Sequence, residues 1–338
     1  MNDSMFTTVL DGPQRLELRK VRIPAIDENK VLMQIALCGI CGSDLAAYQG
    51  TIERTYPYSP GHEFCGRITA IGDAVTGLEP GQRVVIDPNL GCGECAFCLE
   101  NKPHLCDFLK TRPIKSNGGL SEWVVLDHRM VHALPDTIPD ELAVYIEPLS
   151  CAIHACRRAE VGPKSRVAIL GAGNMGILTA IVADSLGADV ILTETSDQRR
   201  KLAMAVPGLT TVPAIEFERH VRRDPIDIAI DCCGNAEAAV QAIAALTKGG
   251  RLILLALMNN PDRIAIPLAE VTSKEIDIRG TWLNPGAFGE AIDLAAERAA
   301  QLRAITTRQF ELADVESAFS CAASQQVHKV IVCASVFA

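Results

Sequence analysis

Several features are missing from this chain. It has no basic excess: Lys and Arg number 32 against 41 Asp and Glu, a formal net charge of −9. An acidic chain meets a phosphate backbone with repulsion, so no nucleic-acid partner is expected. Long apolar runs are absent too, and stretches such as Leu252–Met258 fall far short of the roughly 20 residues a spanning helix needs. No membrane role is expected. The opening residues Met1–Phe6 carry neither a basic region nor an apolar core, so no secretory signal is read and the expected compartment is the cytoplasm. Internal repeats and low-complexity linkers are also lacking.

What is present is cysteine: 13 residues, an odd number, clustered rather than spread. Without a secretory signal, these read as metal ligands and buried thiols rather than a disulfide framework. The length of 338 residues suggests two domains at roughly 100–200 residues each.

The texture of the chain divides near residue 150. Before it, Val31–Leu37, Phe64–Ile71, Gln82–Ile86 and Glu122–Leu126 read as strands bounded by turn residues, which predicts a small β-barrel. After it, the apolar runs Arg166–Leu170, Asp189–Thr193, Ile226–Asp231 and Arg251–Leu257 alternate with helical spacing at Ile177–Leu186 and Ala236–Leu246. Buried strands alternating with helices predict a doubly wound parallel sheet, an α/β domain. A helix over about Phe288–Leu302 and some strand-like pieces close the chain.

Gly171-Ala172-Gly173-Asn174-Met175-Gly176 lies between a predicted strand and a predicted helix. GxGxxG is weak alone but meaningful in this context. Gly171 allows a tight turn, Gly173 lets a pyrophosphate approach a helix N-terminus, and Gly176 permits close helix–strand packing. Glu194 ends the next strand, where a carboxylate hydrogen-bonds ribose hydroxyls and repels a 2′-phosphate. NAD is therefore favoured over NADP, with Arg199 and Arg200 close by.

Cys92, Cys95, Cys98 and Cys106 form C-x2-C-x2-C-x7-C. Four sulfurs with no open position predict a structural zinc in the loop 91–106. An iron–sulfur cluster is the minor alternative. Cys41, His62, Glu63 and Glu147 are each weak alone, but together they supply the thiolate, imidazole and carboxylates of a catalytic zinc site with an open position. Asp44 is the expected acceptor for the second nitrogen of His62. Cys38, Cys65, Cys151, Cys156, Cys321 and Cys333 read as buried free thiols, and His104, His128, His132 and His154 as structural histidines.

The ordered set GICGSD at 39–44, GHE at 61–63, the cysteine loop, EPLSCAIHACRR at 147–158, GAGNMG at 171–176 and DCCGN at 231–235 resembles the zinc-containing medium-chain alcohol dehydrogenases. The polyol branch, sorbitol/L-iditol dehydrogenase-like, is the nearest. That resemblance implies a GroES-like β-barrel catalytic domain (1–150), a Rossmann NAD-binding domain (151–288) and a C-terminal segment (289–338) returning to the first, with the active site between the two domains. It implies two zinc ions per subunit and NAD. It puts Cys41, His62 and Glu63 on the catalytic zinc, and Glu147 on it directly or through water. Cys233, Leu255, Leu257, Thr281 and Trp282 are placed along the cofactor, and Trp282-Leu283-Asn284-Pro285 near the nicotinamide. Ser43 is the implied first proton acceptor as hydride passes from a secondary alcohol of a polyol, cyclitol or sugar to NAD. Relatives are dimers or tetramers, so a homo-oligomer is expected.

The departures are as informative. Ala46 stands where many relatives carry a relay histidine, Ala47 where sorbitol dehydrogenase-like chains carry a substrate-facing tyrosine, and Leu283-Asn284 in place of a substrate-binding Arg-Tyr pair. The alternatives are a phosphorylated-polyol or amino-cyclitol dehydrogenase, an enzyme acting mainly as a carbonyl reductase, or a non-catalytic NAD- and zinc-binding protein.

Overall fold

Alternating and near-continuous runs of Val, Ile and Leu form the sheets of this computed structural model, which describes residues 3–111, 118–256 and 265–334. The chain divides into two units, one of residues 1–147, 288–297 and 307–338 and the other of residues 148–287 and 298–306.

The first unit is built on the strand Lys30–Gly39. It pairs antiparallel with Trp123–Asp127 through its first half, with Lys329–Cys333 through its end, and with Glu63–Ile71 along its length. The seven-stranded sheet continues through Arg83–Ile86 to Val131–Ala133, and Thr307–Glu311 lies outside Lys329–Cys333. Register shifts at Leu32/Met33 and Ile35/Leu37 mark bulges, which bend a strand and let it serve several neighbours. Met33, Ile35, Phe64, Ile68, Val84, Val124 and Phe319 belong to the core beneath. The four predicted strands of this half are all present, displaced by at most two residues at their ends.

The second unit is a six-stranded sheet in the order Thr210–Pro213, Asp189–Glu194, Arg166–Leu170, Ile226–Asp231, Leu246–Leu254, Asp277–Gly280. Every pairing is parallel. In chain order this is 3-2-1-4-5-6, the doubly wound arrangement whose switch point lies beside its first strand. The carboxyl ends of Arg166–Leu170 and Ile226–Asp231 meet there. The strand expected at Arg251–Leu257 instead begins at Leu246, and Leu257 lies outside the described residues.

The C-terminal reading needs correction. The single helix expected over about Phe288–Leu302 is two, Phe288–Glu297 and Ala299–Arg303, and residues 298–306 belong to the second unit rather than returning to the first. Arg298 pairs with Asp184 at 3.3 Å and the Gln301 amide donates to the Pro207 carbonyl at 2.9 Å, tying the second piece down. No helix among the described residues is long and apolar enough to cross a membrane.

Candidate active site and metal centres

The strand Lys30–Gly39 runs into Cys41, which caps the helix Gly42–Gln49, while His62 and Glu63 open the antiparallel neighbour. Register places Gly39 opposite Glu63, so sheet pairing brings these residues together. The ligand atoms of Cys41, His62 and Glu63 all lie within 4.8 Å of one another. Glu147 is outside that three-residue group but buried, at 7% exposure. Burial pushes its carboxyl up to about 7; Glu63 and Asp87 add to the rise, while His62 and Lys329 oppose it. Ser43 is half-buried in the first turn of the helix.

Asp44 organises this corner. Fully buried, it accepts the backbone N–H of Cys41 at 3.2 Å and of Gly61 at 3.2 Å, and the Tyr58 hydroxyl at 3.1 Å. Its Oδ2 stands 3.6 Å from His62 Nδ1, within ion-pair reach but beyond a hydrogen bond, and that buried nitrogen has no hydrogen-bond partner. Burial works against a charge on His62, but Asp44 and Cys41 outweigh it, holding its pKa well above the imidazole range. Surroundings that favour positive charge on the His62 ring also suit a metal ion, whose charge replaces the proton. The donor set fits zinc.

One contributor escapes local sequence reading. Lys329 Nζ contacts Glu63 Oε2, both side chains being 1% exposed, across 266 residues of sequence. Gly39 makes room: a Cβ there would stand 2.6 Å from Glu63 Oε2 and 2.5 Å from Lys329 Cε. The only local signal is a lysine opening an otherwise apolar strand, KVIVC. Tyr58, the donor to Asp44, was equally unmarked.

The ligand sulfurs of Cys92, Cys95, Cys98 and Cys106 also lie within 4.8 Å of one another. Cys92 and Cys98 sulfurs are 3.9 Å apart, far beyond a disulfide bond. The edge of a tetrahedron with metal–sulfur bonds of about 2.3 Å is about 3.8 Å. Backbone N–H groups of Cys95, Cys92 and Phe108 donate to Cys92 and Cys106 sulfurs at 3.3 Å. Amides of Glu94 and Cys95 pull the Cys92 thiol down to about 7. Cys98 is pushed up to about 12, since desolvation and the three neighbouring thiols outweigh the Gly93 amide. Four thiols this close ionise together only around a cation, so this set fits zinc as well.

In the second unit the three glycines do three different jobs. Gly171 has φ +98°, and a Cβ would stand 2.9 Å from that of Cys233. At Gly176 a Cβ would lie 1.9 Å from the Gly171 carbonyl oxygen. At Gly173, the N-cap of the helix Asn174–Ser185, it would meet nothing within 4 Å. Open space before uncapped N–H donors is what a pyrophosphate needs.

Glu194 ends the neighbouring strand at 7% exposure. It accepts Ala172 N at 3.0 Å, Ser196 N at 3.0 Å and the Thr195 hydroxyl at 3.0 Å, with Arg199 3.8 Å away. Burial opposes its charge, but these donors and Arg199 prevail and hold the carboxyl below its usual range. Thr281 and Leu255 follow their strands, donating N–H to Leu254 and Asp231 carbonyls, and the Cys233 thiol donates to Asp231 Oδ1 at 3.1 Å. Met175 and Asn174 begin the helix, and Trp282 is 43% exposed. Leu257 cannot be placed, since it is outside the described residues.

Asn284 is 2% exposed, and its amide donates to the Ser150 hydroxyl at 2.9 Å. Leu283 before it is left-handed, φ +55°, an unusual conformation for leucine.

A doubly wound parallel sheet with a glycine-rich phosphate turn, and a β unit with a converging Cys–His–Glu donor set, define a nicotinamide- and metal-dependent oxidoreductase. Residues 27–136 match the alcohol dehydrogenase GroES-like domain and residues 175–297 the zinc-binding dehydrogenase domain. The chain is 31% identical to sorbitol dehydrogenase of Ovis aries over 93% of its length and 92% of that protein. It is 29% identical to sorbitol dehydrogenase of Bacillus subtilis, over 93% of this chain and 92% of the other. A structure described as a zinc-binding dehydrogenase from Sinorhizobium meliloti 1021, bound to NADP, superposes with a TM-score of 0.90 at 30% identity, covering 98% and 99% of the two chains. An alcohol dehydrogenase of Escherichia coli CFT073 complexed with NADH gives 0.91 at 26% identity, covering 98% and 100%. The chain belongs to the zinc-containing medium-chain alcohol dehydrogenase family, in its polyol branch, and is a zinc-dependent dehydrogenase.

Proposed function

We propose that the protein oxidises a secondary alcohol of a polyol, cyclitol or sugar with NAD. The observation that carries this reading is the Cys41–His62–Glu63 donor set within 4.8 Å, its His62 and Glu63 buried and its Cys41 partly so. Three donors leave one tetrahedral position for a substrate oxygen, whereas four cysteines leave none. The sorbitol dehydrogenases among its relatives, and a 28% identical L-idonate 5-dehydrogenase of Vitis vinifera, support the polyol class.

In this reading Cys41, His62 and Glu63 hold the catalytic zinc, and Cys92, Cys95, Cys98 and Cys106 the structural one. When bound, zinc would supply the Lewis acidity that brings an alcohol's pKa towards neutrality, and NAD would supply the hydride acceptor. Asp44 orients the His62 ring. Lys329 neutralises one Glu63 oxygen and leaves the other for the ion. Glu147, outside the three-donor group, acts through water. Ser43 receives the alcohol proton, and with alanine at position 46 the proton continues to solvent without a histidine.

Gly171, Gly173, Asn174, Met175 and Gly176 cradle the pyrophosphate, and Glu194 with Arg199 faces the ribose. Cys233, Leu255, Leu257, Thr281 and Trp282 follow the rest of the cofactor. Glu194 is already braced in its charged form, so a 2′-phosphate meets a fixed like charge, which favours NAD. Residues 1–147 with the returning segments are assigned as the catalytic domain and residues 148–287 as the nucleotide-binding domain. A cytoplasmic homo-oligomer, dimer or tetramer, completes the reading.

The test is NADH formation with a panel of polyols, cyclitols and their carbonyl products, before and after zinc removal. Turnover lost on chelation and restored by zinc supports the proposal. Zinc-loaded protein that binds NADH and turns over none of them overturns it in favour of a non-catalytic role.

A further inference from the structure

Between the helix Gly42–Gln49 and the strand opening at Glu63 runs the segment 51–60, pinned at several points. The Tyr56 hydroxyl donates to the Ala47 carbonyl at 2.8 Å, and Ser59 to the Thr8 carbonyl at 2.7 Å. Tyr58 exchanges backbone hydrogen bonds with Leu10 at 2.9 and 2.7 Å. Its buried hydroxyl reaches Asp44, the neighbour of His62.

Arg54 sits on this pinned segment with its guanidinium over the Tyr58 ring, 5.4 Å from the centroid. An aromatic face holds a guanidinium without using its N–H donors, which stay available at the edges. Those donors are not absorbed by the protein. Among the described residues no carboxylate pairs with Arg54, and its buried Nε–H has no acceptor. A buried donor left empty is costly, and a carboxylate or phosphate answers it with a charge-assisted, forked pair. The chain carries a net charge of −9, so an anion is drawn here only by a local cation.

We propose that Arg54 is a specificity-determining residue that binds an anionic terminus, carboxylate or phosphate, on the polyol-type substrate. This rests on the dehydrogenase reading above. Arg54 is one aromatic ring and one carboxylate removed from His62, so the anion belongs on a carbon distant from the alcohol that reacts.

The experiment compares kcat/KM for three substrates on one carbon skeleton: the neutral polyol, its aldonate and its terminal phosphate. Wild type should prefer at least one anionic member, through KM more than kcat, and added salt should erode that preference. The two anionic arms distinguish a sugar acid from a phosphate. Arg54→Met should lower the anionic-to-neutral ratio about 100-fold, with Arg54→Lys intermediate. Quenching of bound-NADH fluorescence by the non-reacting enantiomeric aldonate should weaken in parallel. Equal wild-type rates on neutral and anionic members overturn the proposal while leaving the dehydrogenase standing. An Arg54→Met variant that loses rate on all three alike does the same, because Arg54 then only braces Tyr58. No turnover on any arm, with NADH still bound, overturns both readings.

Discussion

The two donor clusters of the first unit are assembled in opposite ways. Cys92, Cys95, Cys98 and Cys106 lie within one short loop, their geometry set by tight turns and by backbone amides two or three residues away. Gly91 shows the closeness: a Cβ there would stand 2.8 Å from the Cys98 sulfur. Cys41, His62 and Glu63 instead come from the adjoining ends of two paired strands, and their charge balance is completed by Lys329 from a third. A local cluster is a folding device with all its donors committed. A cluster made by sheet pairing inherits the stiffness of the sheet, which is what a site with an open coordination position requires.

The comparison breaks most visibly at Cys41. Cys41→Ser should cost about a thousandfold or more in turnover, with the four-cysteine zinc retained by metal analysis and thermal stability almost unchanged. Full activity in that variant would remove Cys41 from the site. Next comes Lys329→Met, which leaves the Glu63 carboxylate buried at 1% exposure without its partner. A loss of about 3–5 kcal/mol in urea unfolding is expected, part of it regained when Glu63→Gln is added. An unaltered midpoint would mean that the pair does not carry the buried charge.

Cys98→Ser tests the local cluster. It should release one zinc and lower Tm by roughly 10 °C, while the turnover of the remaining folded protein persists. Loss of turnover without loss of stability would reverse the roles given to the two clusters. The smallest effect belongs to another pair made within one stretch of chain, Asp127 and Arg129. Arg129 donates to both Asp127 oxygens, at 2.8 and 3.0 Å, and holds its carboxyl far below the usual range. A depressed carboxyl stabilises fully above its unfolded value near pH 4, and the contribution is lost as pH falls through the folded value. Arg129 is 52% exposed, so solvent screens the pair. Asp127→Asn should therefore cost under about 1 kcal/mol at neutral pH, a gap that shrinks in strong acid. A gap that widened on acidification would contradict that sign.

The same division governs what was legible beforehand. The strand Arg166–Leu170 and the loop after it were readable because a buried parallel strand is a short apolar run and the glycines mark a turn. The four cysteines were readable because their spacing alone lets them reach one ion. Lys329 and Tyr58 were not, since neither residue type announces a partner 266 or 14 residues away. Nor was the buried hydrogen bond from Asn284 to Ser150, 134 residues earlier. The helix near Phe288 was read as one because its apolar spacing continues through Arg298. Only contacts with Asp184 and Pro207 give the second piece to the other unit.

By itself, then, the amino-acid order determined the two kinds of sheet, the phosphate turn and the four-sulfur loop, because each depends on periodicity or spacing within a few turns of chain. Tertiary structure alone decided that Glu63 shares its charge with Lys329, that Asn284 faces inward, and that Arg54 lies over Tyr58 with a donor to spare. These arrangements depend on which strands pair and in what register. Register places residues far apart in sequence within ångströms of each other, and burial then determines which of their charges need a partner.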